Sequence, residues 1–180
     1  MSFFDFFTSD RSVPPPQQAA AQTESVRKIV DTLDRLDPER ARYLAAFAYI
    51  LSRVARADLE VTPEETRAME RTVIEHGELS EDQAIIVVQI AKHQNLLFGA
   101  TEDFLVTREF NKIGTQQQKL ALLDCLFGVA AAEASISVAE DGRIRQIARE
   151  LGLEHQDFIA VRSRYIDRLS VLRKNEGGQD

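Results

Sequence analysis

Apolar residues recur at helical spacing along most of the chain. Between Leu44 and Ala55 they fall three and four positions apart, and the same spacing returns between Leu122 and Ala130. This pattern is typical of helices that bury one face. Because no stretch has the sustained alternation of a strand, the sequence predicts an all-α fold of about seven to eight helices.

Capping residues mark the ends of the predicted helices. Asp37-Pro38 and Thr62-Pro63 each place a capping side chain before a proline at the first helical position. Three further segments have the spacing of a capping box: Ser80 with Gln83, Thr115 with Gln118, and Ser137 with Glu140. Glycines stand where helices are expected to stop, at Gly77, Gly114 and Gly152.

The first and last residues differ in composition from the rest. Residues 1–22 combine a Phe-rich tip with a Pro/Gln/Ala segment that has the composition of a flexible linker. Phe3, Phe4 and Phe7 share one face if residues 2–8 are helical, so we expect them to dock on a protein partner or on a membrane surface. The alternative is that they fold back onto their own domain or are frayed. The single all-helical domain is expected over residues 23–174, with a disordered tail at 175–180.

The chain contains an internal repeat. Residues 46–82 align with residues 121–157 without a gap, at an offset of about 75 residues, the kind of fixed period that marks a repeated supersecondary unit. Both copies run through a helix, an acidic residue, a short loop, a capping position, a second helix and a terminal glycine. We therefore predict two helical hairpins related by an approximate two-fold axis. The identical positions in the first copy are Ala46, Leu51, Val54, Ala55, Ala57, Glu65, Glu75, Gly77 and Asp82.

Composition and charge exclude several classes of protein. The net charge of −7 over 180 residues lacks the basic footprint of general nucleic-acid binding. Cys125 is the single cysteine and lies in an apolar run, which predicts a buried thiol and no disulfide framework. There is no Gly-rich phosphate loop or Gly-x-Ser-x-Gly elbow, and the three histidines are scattered. The sequence therefore predicts an intracellular protein that is not an enzyme.

Four carboxylates occupy equivalent points of the two repeats. Asp58 and Glu133 each extend the core-facing stripe of a helix at its carboxyl end, and Glu65 and Glu140 each open the next helix. A negative charge at a helix C-terminus opposes the helix dipole, so something must offset its cost. One interpretation is local capping by hydrogen bonds to backbone amides. The other is a site for a divalent cation, Mg²⁺, Ca²⁺ or Mn²⁺.

Two segments resemble the Ala-Asp-Gly-x-Ile-Ser/Asp-x-x-Glu signature of the TerB-like, tellurite-resistance family. They are residues 57–65, Ala-Asp-Leu-Glu-Val-Thr-Pro-Glu-Glu, and residues 132–140, Ala-Glu-Ala-Ser-Ile-Ser-Val-Ala-Glu. The resemblance spans residues 38–172. It implies an all-helical fold with two-fold-related hairpins, and a bacterial cytoplasmic protein tied to tellurite or general stress resistance, without known catalysis. It also implies metal or partner sites at the four acidic positions, Asp58, Glu65, Glu133 and Glu140.

The chain departs from that signature where its glycine should stand. Leu59 and Ala134 occupy the two positions, so the easy left-handed turn of a tight metal loop is lost. Residues 57–82 carry nine acids against two arginines, and residues 162–174 are basic. We therefore favour a metal-free acidic scaffold that binds a protein partner. A divalent-metal sensor built on the four acidic residues is the alternative.

Overall fold

The computed structural model of the chain describes residues 16–55, 63–93, 103–132 and 135–170, without the side chains of residues 16–23, 25, 65 and 103–105. These described residues form eight α-helices, followed by one turn of 3-10 helix at Ile166–Arg168. The all-α prediction is confirmed. The helices are α1 (Pro16–Asp34), α2 (Pro38–Ser52), α3 (Pro63–Gly77), α4 (Glu81–Lys92), α5 (Asp103–Ile113), α6 (Gln116–Ala132), α7 (Val138–Glu150) and α8 (His155–Ser163).

The first helix starts earlier than the sequence predicts. It begins at Pro16 rather than after Thr23, so the interpretation of residues 16–22 as flexible linker was wrong. The physical reason is local, because proline suits the first helical position and the alanines and glutamines that follow are good helix formers. Phe3, Phe4 and Phe7 and the predicted tail at 175–180 lie outside the described residues.

The predicted caps that lie within the described residues form as expected, and Thr62 lies outside those residues. The Asp37 carboxylate accepts the backbone amides of Glu39 and Arg40, at 2.9 and 3.2 Å. Reciprocal capping boxes close at the starts of three helices, in the pairs Ser80–Gln83, Thr115–Gln118 and Ser137–Glu140. Gly152 has a φ of +70° and follows α7, with the Leu153 amide bonded to the Ala148 carbonyl at 3.0 Å.

The end of α3 differs in one detail from the expectation. Gly77 is its last residue, but the left-handed residue is Glu78, with a φ of +52°. Gly77 therefore ends the helix, and the residue after it adopts the left-handed conformation. That places a charged side chain at the corner between α3 and α4.

The core is built around α2 and α6, the central helices of the two repeats. Phe47, Leu51, Leu122 and Leu126 have no exposed surface and belong to one hydrophobic cluster to which all eight helices contribute. Cys125 is buried in the same cluster, as predicted. α3 packs most extensively against α6, and α2 packs against α4 and α5.

The helix register agrees with the internal repeat. Pro63 opens α3 and Val138, its partner in the sequence alignment, opens α7. In the second half, the Ile136 amide donates to the Arg168 carbonyl at 2.7 Å, and the Ser170 amide donates to the Ile136 carbonyl at 3.0 Å. These bonds fasten the C-terminal segment to the loop between α6 and α7. Exact superposition of the two hairpins stays a prediction.

Candidate functional site

Of the four predicted acidic site residues, Glu140 is the one whose side chain is described. Its Oε2 accepts hydrogen bonds from the Ser137 amide at 2.8 Å and from the Ser137 hydroxyl at 2.6 Å. The Glu140 amide donates to the same Ser137 oxygen at 3.2 Å. The local-capping interpretation therefore holds for this carboxylate, because its Oε2 accepts hydrogen bonds at the start of its own helix.

The side chains of the other three predicted ligands are not described by the structure. Asp58 and Glu133 lie outside the described residues, and Glu65 contributes only its backbone to α3. Within the described ranges, no group of three or more His, Cys, Asp or Glu side chains is placed to hold a metal ion. The assignment of a divalent cation to these acids stays a prediction.

In each half, a basic side chain contacts the residue that follows the glutamate of the signature, Glu65 or Glu140. In the first half, the Lys92 ammonium donates to the hydroxyl of Thr66 at 3.0 Å, and Thr66 is buried. In the second half, the equivalent residue is Asp141, whose carboxylate receives Arg162 in a two-point contact at 2.7 and 3.2 Å. The two cations come from the equivalent helices α4 and α8, but Lys92 meets a neutral hydroxyl, whereas Arg162 forms a charge-assisted contact with a carboxylate.

The surface around the α3–α4 turn is acidic. We call the exposed carboxylates Glu75, Glu78, Glu81 and Asp82 the acidic corner. No Lys or Arg occurs between Arg71 and Lys92 in the sequence. Two isoleucines in the same stretch are unusually exposed, Ile74 at 39% and Ile85 at 41%. Glu81 and Asp82 stand in the first turn of α4, where the helix dipole stabilises negative charge.

A polar cluster joins α3, α6 and the C-terminal segment. His76 Nδ1 lies 2.8 Å from Asp124 Oδ2, and the Tyr165 hydroxyl donates to the Asp124 carboxylate at 3.1 Å. The same hydroxyl lies 3.0 Å from the Asp124 carbonyl, and Arg164 approaches the carboxylate at 3.4 Å. Asp124, whose side chain is only 14% exposed, is thereby held by groups from two other parts of the chain.

Sequence reasoning missed this cluster. One signal was available, because Asp124 is a lone acid within the apolar run Leu122–Phe127, and a buried carboxylate requires partners. The partners lie 48 residues before it and 41 residues after it, and local pattern does not identify them. Burial, together with the nearby Asp124 charge, raises the pKa of Tyr165 above its ordinary value. Tyr165 therefore acts here as a neutral hydrogen-bond donor.

Two other features, a cysteine and a surface cleft, are weaker candidates for a functional site. The Cys125 thiol is fully buried, which raises its pKa and removes it from solvent, so it is a poor nucleophile. A surface cleft at the start of α2 has a volume of about 440 Å³ and is lined by Asp37, Glu39, Arg40 and Arg42. Its acids and bases balance, and the Arg40 guanidinium already lies 4.9 Å from the centre of the Tyr43 ring.

A nearly buried ion pair links the two halves of the molecule. Arg53 donates to Glu150 at 2.7 and 3.4 Å and to the Thr107 hydroxyl at 2.7 Å. Arg143 adds a bond to the Arg53 carbonyl at 2.9 Å. Burial by itself would raise the pKa of Glu150, but the hydrogen bonds from Arg53 and Gln146 outweigh it and leave that pKa below its ordinary value.

Comparison with known proteins agrees with this architecture. No curated protein and no solved structure matches the chain. Among the described helices, none is both long and apolar enough to cross a membrane. The family model described as Tellurite resistance protein TerB matches residues 43–163, which is well over half of the chain. The match runs from α2 to α8, and the chain belongs to the TerB family.

Proposed function

We propose that this TerB protein is a non-enzymatic interaction scaffold of the cytoplasm, which binds a protein partner through its acidic corner. The observation that carries the proposal is the exposure of Glu75, Glu78, Glu81 and Asp82 on one turn of the chain with no intervening Lys or Arg. Clustered charge of one sign raises the rate of encounter with a surface of the opposite sign. The partner surface is therefore basic.

The exposed isoleucines narrow the chemistry of the partner. In the sequence, Ile74 and Ile85 lie on either side of the carboxylates. Burial of their apolar surface against a partner would add binding affinity, whereas charges at the exposed rim of an interface mainly raise the rate of association. A basic surface that also exposes apolar side chains fits this arrangement better than a uniformly charged one. Association with tellurite or stress resistance is proposed on the family alone.

The second candidate, a divalent-metal sensor, has weaker support. Glu140 is engaged by Ser137, and Lys92 and Arg162 stand beside the first turns of α3 and α7, where a divalent cation would meet their positive charge. The absence of both signature glycines also argues against a metal site, because a tight metal loop would use them for its turn. The ion-binding experiment at the end of the Discussion separates the two candidates.

The scaffold proposal is tested by capture of partners on the full chain. The variant Glu75→Gln/Glu81→Gln removes two charges from the acidic corner and keeps the shape of each side chain. Its matched control is Asp31→Asn/Asp34→Asn, which removes two exposed charges from α1 and gives the same net charge. Proteins captured from an extract of the source cells are quantified by mass spectrometry for the wild type and both variants.

The proposal expects a defined set of captured proteins that the corner variant loses and the α1 control retains. Those proteins should elute as salt is raised, because the contact is electrostatic at its rim. Equal capture by all three proteins would contradict the assignment of the acidic corner. Equal loss from both variants would show that net charge alone drives the capture.

A further inference from the structure

We propose that the partner presents a basic amphipathic α-helix, which binds in a groove along the outer side of the α3–α4 hairpin. This inference rests on the proposed function, since it names the form of the partner that the acidic corner binds. We define the hairpin groove by four residues, Glu70 and Ile74 on α3 and Glu81 and Ile85 on α4. Glu81 also belongs to the acidic corner, so the corner forms one end of the groove.

Ile74 lies on the side of α3 that faces away from α6. A Cβ at Gly128 of α6 would lie 2.8 Å from the Thr72 methyl group and 3.1 Å from His76 Cδ2, so these two residues mark the side of α3 that packs on α6. Successive residues of an α-helix are about 100° apart, and Ile74 is two positions from each of them. Its side chain therefore projects directly away from the α6 contact, where it is exposed.

Ile85 lies on the side of α4 that faces α3. The Lys92 ammonium donates to the hydroxyl of Thr66 on α3 at 3.0 Å, which identifies that side and gives the register of the hairpin. Ile85 is seven positions before Lys92, about two turns of helix, so the two side chains share one stripe. Ile74 is eight positions after Thr66, also towards the turn. The two exposed isoleucines therefore lie opposite each other across the hairpin.

Carboxylates lie beyond the isoleucines along the groove. Glu81 precedes Ile85 by four residues and is exposed at the turn. Glu70 precedes Ile74 by four residues and lies towards the open end of the hairpin, where Arg67 is also exposed. Negative charge is therefore concentrated at the turn. A partner with basic residues at one end fits this distribution when its apolar residues cover the isoleucines.

A helix fits this groove better than an extended segment. Apart from their ends, α3 and α4 bond their backbone amides and carbonyls within each helix, so an extended chain would find no backbone partners along them. A helix satisfies its own backbone groups and presents apolar residues three and four positions apart. Between Thr66 and Gly77 the groove is about 17 Å long, which matches about three turns of a partner helix.

The inference is tested with peptides selected on the full chain from a displayed library of random sequences, each of about 16 residues. The selected peptides should carry Lys or Arg at one end and apolar residues at helical spacing, and circular dichroism should show that they gain helix on binding. Ile74→Ala/Ile85→Ala should weaken their binding at least tenfold, because it removes apolar area from the groove. The matched control Ile113→Ala/Ile159→Ala truncates two comparably exposed isoleucines on α5 and α8 and should leave binding unchanged.

Changes in the peptide keep the test valid if the alanine variant does not fold. Replacing the Lys and Arg residues of a selected peptide by Glu should weaken its binding to the wild-type protein at least tenfold at low salt. Rearranging its apolar residues to alternate positions, at constant composition, should have the same effect. A library that yields no binder, or peptides that bind in an extended form, lack basic residues or bind the alanine variant as well as the wild type, would overturn the inference.

The capture experiment distinguishes failure of this inference from failure of the proposed function. Captured proteins should be lost from Ile74→Ala/Ile85→Ala as well as from Glu75→Gln/Glu81→Gln, and should be retained by Ile113→Ala/Ile159→Ala. Loss from the glutamine variant with full retention by Ile74→Ala/Ile85→Ala would overturn the groove and leave the acidic scaffold in place. Retention by the glutamine variant would contradict the scaffold itself.

Discussion

The contact between α3 and α6 and the contact between α2 and α7 are equivalent in the internal repeat, but they are built differently. In the first, Gly128 of α6 faces Thr72 and His76 of α3, and a Cβ at this position would lie 2.8 Å from the Thr72 methyl group. In the second, the repeat-equivalent residue is Arg53, which reaches Glu150 instead. The first contact is extensive and the second is not.

The comparison shows how a repeat can diverge at one position. A glycine lets two helices approach closely, so α3 and α6 pack backbone against side chain. An arginine at the same position keeps the helices apart and fills the space with an ion pair. Glu75 and Glu150 are identical in the alignment, yet one is exposed in the acidic corner and the other is nearly buried against Arg53. The surface we assign to partner binding exists because only one half uses its glutamate for packing.

Removing the carboxylate of Glu150 should have the largest effect on the free energy of unfolding. Glu150→Ala takes away the counter-charge of Arg53, whose side chain is only 8% exposed, and should lower the free energy of unfolding by about 3 kcal/mol. Glu75→Ala removes the same residue type from the equivalent exposed position and should change stability by less than about 0.5 kcal/mol. Urea unfolding of both variants measures the difference. Similar losses in the two would contradict the asymmetry.

Adding one methyl group to the close contact should have the next largest effect. Gly128→Ala must displace Thr72 or His76 and should destabilise the protein by about 1–3 kcal/mol, in spite of the better helix propensity of alanine. Gly142→Ala in α7 is the matched control, since a Cβ there meets nothing within 4 Å. That control should gain about 0.5–1 kcal/mol from propensity alone. Thermal unfolding distinguishes the two, and a stabilised Gly128→Ala would show that the helices are not in close contact.

The next prediction concerns Tyr165 of the polar cluster, which bonds to Asp124 of α6. Tyr165→Phe loses the hydroxyl bonds to the Asp124 carboxylate and carbonyl and should cost about 1–2 kcal/mol. In an Asp124→Asn background the same change should cost less, because the two groups share one interaction. A double-mutant cycle in urea measures this coupling. Additive losses would mean that the two side chains act independently.

Acid should weaken the α2–α7 contact through Glu150. Its pKa is lower in the folded than in the unfolded chain, so the folded state binds fewer protons there. The resulting stability is present above the ordinary carboxyl pKa and is lost as pH falls through the folded value. Between about pH 6 and about pH 3, the free energy of unfolding should therefore fall less steeply in Glu150→Gln than in the wild type. Parallel pH profiles would contradict the assignment.

Local features of the fold were predictable, and contacts between distant segments were not. Asp37, Ser80 and Ser137 bond to residues two or three positions further along the chain, so sequence spacing was enough to place their helices. The start of α1 at Pro16 was missed because proline and glutamine are common in both linkers and first turns. For the candidate site, spacing predicted the capping role of Glu140 and the acidity of residues 57–82. It gave no means of pairing Asp124 with His76 and Tyr165, or Arg53 with Glu150, since those contacts depend on how helices pack.

The central claim, a scaffold that works without a metal, is tested most directly by thermal unfolding with Mg²⁺, Ca²⁺ or Mn²⁺ against a chelator. An ion that binds only the folded state at a hundredfold excess over its dissociation constant would add about 2.7 kcal/mol of stability. We predict no ion-specific shift in Tm for the wild type or for Asp58→Asn/Glu133→Gln. A shift that appears with one ion, saturates, and vanishes in that double variant would contradict the scaffold and establish the metal sensor.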